Sequence, residues 1–328
     1  MIKTIRNSFF ILFFIFLIAF FPAAAVFAMP SGERTQELVI YGIKGPSGLG
    51  LVQLFENPVA VPGFTVKMEA LAQADLAAAR FISGEAKIGI LPPNAAAKIA
   101  ASGINIKVAA VTGMGMISLL TSDPDVNNIQ DLKGKSIEAA GQGATPEFLI
   151  RAILKNNGLN PETDVKMGFS LAYPEIAQSI AAGRISTALL PEPFATQALT
   201  AGPSLRQVGD IRQEWQNLTG TDNYPMTVLA VNGDFAAANR DAVNIVLSDI
   251  EKSIKWTVAN PEQAGLLAQK YDLGFPVNAA AAAIPKSNYV YIPADKAKSS
   301  LEDLFRIFLE YSPISIGGRL PNDDFYFK

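Results

Sequence analysis

The sequence predicts an α/β protein of two lobes, each a mainly parallel sheet flanked by helices. Three observations predict it. Short apolar runs alternate with helical patterns of about ten residues, the signature of βαβ units. Residues 83–93 and 182–193 share one layout: a helix end at Gly84 or Gly183, an apolar strand, then a Pro-rich loop that opens another helix. The length of 328 residues suits roughly two domains.

Residues 1–28 precede that fold. Lys3 and Arg6 form a basic start, 9–21 is an unbroken apolar run of 13 residues, and Pro22 ends it. Val26 and Ala28 then stand at the −3 and −1 positions of a cleavage site before Met29, the pattern of a secretory signal. The run is shorter than the ~20 residues a membrane span needs. Cleavage after Ala28, rather than retention as an anchor, is therefore expected.

In the rest of the chain each element has a start and a stop. Residues 38–41 form a β-rich strand broken by Lys44-Gly45-Pro46-Ser47-Gly48, and 49–55 reads as a helix. A strand over 64–68 precedes an Ala-rich helix over 74–82 that stops at Gly84. Residues 88–91 are a buried strand ended by Pro92-Pro93, and the helix 94–101 stops at Gly103. Strands follow over 106–111 and 116–121, the second leaving through a turn-rich Ser122-Asp123-Pro124-Asp125. A strand over 136–139 leads into Gly141-Gln142-Gly143-Ala144-Thr145-Pro146 and a helix over 147–156 that ends at Gly158. The alternation continues with 165–169, 173–182, 187–190 and 194–200, then strands over 205–208 and 226–231. Beyond 232 the chain reads as mostly helical, over 240–260, 261–270, 279–283 and 293–311.

Composition excludes more chemistry than any motif adds. There is no cysteine and no histidine. Thiol nucleophiles, disulfides, Cys/His zinc sites, Ser-His-Asp triads and an imidazole base are all excluded. Removing Lys3 and Arg6 from the 27 basic residues leaves 25 against 30 acidic ones, a net charge of −5, which is no footprint for nucleic acid. A calcium loop beginning at Asp123 fails because Asn128 and Gly134 stand where Gly and Glu belong. The 141–146 loop is no P-loop, lacking Gly-Lys-Ser/Thr, and Pro146 breaks a dinucleotide fingerprint. No metal and no cofactor is expected. Without cysteine there is no lipid anchor, so an exported product is expected to be free in the periplasm of a two-membrane bacterium.

Several segments then resemble one family. Asp131-Leu132-Lys133-Gly134-Lys135-Ser136-Ile137 resembles the entry to the second lobe of periplasmic substrate-binding proteins of ABC importers. Gly141 to Pro146, 149–154 and Asn157-Gly158-Leu159 resemble their Gly-rich loop, helix and stop; 178–183 with 188–193 resembles their segment ending in Glu-Pro. The combination is similar to the nitrate/sulfonate/taurine and pyrimidine-precursor branch and covers nearly all of residues 29–328. Ser186 or Thr187 stands where the family often has Asp. The resemblance implies a two-lobed type II periplasmic-binding-protein fold with two crossover segments. By that analogy, lobe one is 29–116 plus 232–328 and lobe two is 117–231. It also implies a ligand between the lobes, closure about a hinge, and docking on a permease and its ATPase.

Candidate ligand-binding residues are drawn from the loops at strand ends, where open α/β sheets bind ligands. Gly45, Pro46 and Ser47 open a helix whose first amides point outward with partial positive charge, though a plain turn capped by Ser47 also explains them. Gln142, Gly143 and Thr145 repeat that logic in the second lobe, with Thr145 also a natural cap before Pro146. Pro93 and Asn94 lie in the first Pro-rich loop, where Asn94 equally suits a cap. Glu192, in the second such loop, would accept hydrogen bonds from ligand N–H groups or turn to solvent. Tyr173 and Tyr224 are aromatics in polar or Pro-containing loops, and Met114 precedes the first crossover as an adaptable apolar wall. No arginine stands in these loops, and the nearby cation is Lys44. An uncharged or weakly anionic organic molecule, such as a planar heterocycle, therefore suits the site better than a dianion.

The function this suggests is a solute-binding protein, expected to be monomeric and non-enzymatic, delivering a small organic ligand to an ABC permease. A ligand-sensing receptor subunit would use the same cleft. An enzyme on the same fold is the third reading. Synthases of pyrimidine precursors need the cysteines and histidine this chain lacks, and chorismate-type dehydratases are normally cytoplasmic.

Overall fold

Eleven strands are laid out along the described residues, 35–328 of a computed structural model. They are β1 (Gln36–Ile43), β2 (Phe64–Leu71), β3 (Ile88–Leu91), β4 (Ile106–Met114), β5 (Ile117–Thr121) and β6 (Ser136–Glu138). β7 (Lys166–Gly168), β8 (Thr187–Pro191), β9 (Arg206–Gln207), β10 (Pro225–Asn232) and β11 (Tyr289–Pro293) complete them. The expected leader, 1–28, lies outside the described residues.

The strands form two sheets. One has six strands in the order β11-β4-β10-β3-β1-β2; the other has five, β7-β6-β8-β5-β9. β1 runs parallel to β2 from the Gln36–Phe64 pair to the Ile43–Leu71 pair, and parallel to β3. β10 is inserted antiparallel between β3 and β4. The second sheet repeats the plan: β6 is parallel to β7 and β8, and β5 lies antiparallel to β8. Each sheet thus takes one antiparallel strand directly after the chain arrives from the other sheet. This is the two-lobed periplasmic-binding-protein fold, with two crossovers.

The central strands are buried on both faces, as helix-covered parallel sheets require. Every residue of β3 (Ile-Gly-Ile-Leu) and of β8 (Thr-Ala-Leu-Leu-Pro) is buried. The longest covering helices carry apolar stripes. In Ala294–Tyr311 the buried residues Ala294, Ala297, Leu301, Leu304 and Phe308 recur at three- and four-residue steps.

Four features differ from the sequence expectations. The expected lobe boundary at 231/232 falls at the end of β10, a strand hydrogen-bonded inside the first sheet, so the second change of sheet comes before Pro225. The expected 49–55 helix is two short helices, Pro46–Leu49 and Val52–Glu56. The helix Ile211–Thr219 and the edge strand β11 were not expected at all. Residues 35–328 form one compact unit.

Candidate functional site

The carboxyl ends of β1, β3 and β8 and the crossover region meet around one cavity of about 450 Å³. That volume is in the usual range for small-molecule pockets, about 300–1,000 Å³.

Its first wall grows from the end of β1. The backbone turns at Gly45, whose φ of 98° is a conformation suited to glycine. Gly45 N–H donates to the Leu273 carbonyl (2.9 Å), and Lys44 N–H to the Leu71 carbonyl (2.8 Å). The short helix Pro46–Leu49 follows, held by the Tyr289 hydroxyl donating to the Pro46 carbonyl at 2.7 Å. Lys44 pairs with Asp272, which stands on the loop that carries Leu273, Gly274 and Phe275 to the cavity.

The opposite wall comes from the second sheet. After β6, Gly141, Ala144, Thr145 and Pro146 line the cavity at the start of the helix Thr145–Asn156. Thr145 is buried, and its Oγ1 has no hydrogen-bond partner. The Tyr173 ring stacks on Phe194 (centroids 5.7 Å apart, 21° between planes), and its hydroxyl donates to the Ala140 carbonyl at 3.3 Å. Burial pushes the Tyr173 hydroxyl pKa well above its ordinary value, so it stays protonated and acts as a donor. Phe194 in turn meets Phe275 from the facing wall, centroids 5.3 Å apart. Met116, in the crossover between β4 and β5, and Thr227, near the start of β10, also line it.

A model of the NMT1-like family matches residues 54–270, well over half of the chain. The chain belongs to the NMT1-like family. Solved structures agree with its fold. An ABC transporter from Parabacteroides distasonis is 26% identical with a TM-score of 0.76, over 90% of this chain and 99% of that one. The periplasmic aliphatic sulphonate-binding protein SsuA of Escherichia coli is 17% identical, TM-score 0.70, over 89% and 92%. The periplasmic nitrate-binding protein NrtA of Synechocystis is 12% identical, TM-score 0.65, over 85% and 82%. No curated protein matches the sequence.

Within this NMT1-like chain, five of the residues singled out from sequence line the cavity: Gly45, Pro46, Ser47, Thr145 and Tyr173. The others stand elsewhere. Gln142 and Gly143 are exposed beyond the wall. The Gly143 N–H donates to Glu147 Oε2 (2.7 Å), and its carbonyl accepts from Asn94 Nδ2 (3.4 Å). Pro93 is buried at the start of its helix behind Pro92, which does line the cavity; Asn94 Oδ1 is buried without a partner. Met114 borders a separate groove with Arg212 and Asn288, while Met116 faces the cavity. Tyr224 is packed on Trp215, and its hydroxyl oxygen accepts the Ile117 N–H at 3.2 Å. Glu192 is 5% exposed and turns into the protein, accepting the Thr196 N–H at 3.1 Å. Burial raises its pKa, opposed by that hydrogen bond and by Lys286.

The capping roles expected of Ser47, Asn94 and Thr145 do not form. Each helix starts earlier, with Gly45, Pro92 and Ala144 at the N-cap and no side-chain cap. Proline pre-sets a helical φ in each first turn, so the helices extend backwards past the polar residue. Sequence reading missed the 273–275 loop, Met116, Thr227 and Pro191. Loop 273–275 follows a helix far along the chain, and its signal is the Asp272–Gly274 break, with φ of 51° and 93°.

Proposed function

We propose that this chain is an extracytoplasmic solute-binding protein that captures a small organic ligand between its lobes and delivers it to an ABC-type import permease. The observation that carries this is the cavity walled from both sheets beside the first crossover and the start of β10, the place where hinge closure encloses a ligand. The named relatives with this fold bind sulphonate or nitrate in the periplasm. The lobes are taken as 35–116 with 225–328, and 117–224, following sheet membership. Residues 1–28 act as a cleaved export signal, and the free protein works in the periplasm as a monomer without catalysis. The described residues contain no helix long and apolar enough to cross a membrane.

Native mass spectrometry of the protein purified from its host tests the binding step; a retained small solute released on unfolding is expected. Uptake of that solute should disappear when the gene is deleted and return with it. A cell that imports the solute equally well without the protein would point to sensing instead.

A further inference from the structure

The cavity wall names a ligand class, on the reading that this cleft is the solute site. Among its lining side chains Lys44 is the one that carries a charge at neutral pH, and it is already paired with Asp272. The buried carboxylates nearby are spent on the protein itself: Glu192 on the Thr196 amide, Glu147 on the Gly143 amide and Arg151. No guanidinium lines the cavity. Ser47, Thr145 and Thr227 bring hydroxyls to the wall, but an anion taken from water into this cleft would meet no cation other than the already paired Lys44, and buried charge requires one. What the wall offers instead is Ile43, Leu273, Met116 and Met226 around three rings. Those rings form a chain across the cleft: Tyr173 stacked on Phe194, and Phe194 tilted at 58° against Phe275. The rings touch one another, so a planar ligand would take the place of the Phe194–Phe275 contact when the walls part, keeping an aromatic partner on each side.

We infer that the cleft selects an uncharged, mostly hydrocarbon ligand containing a planar ring, held against Phe194 and covered by Phe275, and that it rejects small oxyanions. Phe275 is the specificity-determining residue. It comes from the facing wall and meets Phe194 across the cleft.

The test uses protein stripped of solute by unfolding and refolding, titrated calorimetrically. Indole and p-cresol serve as uncharged aromatic probes, cyclohexanol as an uncharged aliphatic one, and methanesulfonate and nitrate as anions. The aromatics should bind and the anions should not. Phe275→Ala should weaken indole at least tenfold. Phe275→Leu, which keeps the apolar packing, should weaken indole more than cyclohexanol. Methanesulfonate or nitrate binding that vanishes in Lys44→Ala overturns the ligand class while leaving solute binding intact. Absence of binding by both aromatics also overturns the class, and the retained solute and uptake assays judge the function separately. If indole binds Phe275→Leu and the parent equally, Phe275 is not the determinant.

Discussion

Thr145 has a hydroxyl that neither solvent nor any protein group reaches, on a residue that borders the cavity. An unpaired buried hydroxyl costs stability, because its hydration is lost and nothing replaces it. Thr145→Val keeps the shape and removes the polar atom, so the solute-free protein should gain about 1 kcal/mol in denaturant unfolding. A loss of that size would show that the hydroxyl is partnered in solution. Glu192 makes the opposite case, a charge that the fold hides. Its pKa is raised by burial, so the folded state holds a proton more tightly than the unfolded chain does. The stabilisation is complete below the unfolded glutamate value of about 4.3 and is lost as pH rises through the higher folded value. Glu192→Gln can still accept the Thr196 amide but cannot ionise. The stability of the variant relative to the parent should therefore rise from pH 4 towards neutrality and then level off. A flat difference would mean that Glu192 is not perturbed.

At the scale of elements, the fold depends on the short crossover between β4 and β5. Gly115 is gripped there from two sides: its N–H donates to Asn223 Oδ1 at 3.0 Å, and its carbonyl accepts from Asn288 Nδ2. A Cβ added at Gly115 would lie 2.2 Å from Asn223 Oδ1 and 2.7 Å from the Tyr224 ring. Gly115→Ala must therefore push the two crossovers apart, and about 1–3 kcal/mol of destabilisation is expected by chemical denaturation. An unchanged midpoint would show that the crossover has room the geometry denies it. Gly115 is visible in the sequence, but its partners are not. Asn223 and Asn288 lie 108 and 173 positions away from Gly115, and only the fold brings them together. The same division holds across the molecule. The buried strands β3 and β8 and the Pro-opened helices were legible because apolar runs and proline act locally. The helix Ile211–Thr219 was legible in principle: Asp210 caps it through the Arg212 and Gln213 amides, and Ile211 and Trp215 fall four residues apart. Its mostly polar sequence hid that spacing. Tyr224 and Glu192 stood in loops whose composition suited a binding site. What turned them inward was a backbone amide waiting for an acceptor, Ile117 for one and Thr196 for the other, a requirement that no local pattern announces.

For the whole molecule, the question is what joins the two sheets. On the cleft side the joins are small: Phe194 on Phe275, Asn94 on the Gly143 carbonyl, Lys286 on Thr196 at 3.2 Å. Among residues that do not line the cavity they are larger and mostly apolar. Phe148 meets Phe308 edge-on (5.2 Å) and stacks with Tyr311 (6.3 Å), and Lys155 pairs with Glu310. A joint with its strong contacts on one side and weak ones on the other opens on the weak side. The proposed cycle therefore pivots on the Phe148 cluster and the Gly115 crossover, with the three cleft contacts breaking on opening. A compact chain of this size has a radius of gyration of about 19 Å. Small-angle scattering should give that value with solute bound and a larger one after stripping. Solute at a hundred times its Kd should add about 2.7 kcal/mol to stability. Phe275→Ala removes one cleft contact without touching the pivot, so the stripped variant should be at least as open as the stripped parent. Identical scattering from bound and stripped protein would show that the two sheets behave as one rigid body and that ligand enters without hinge motion.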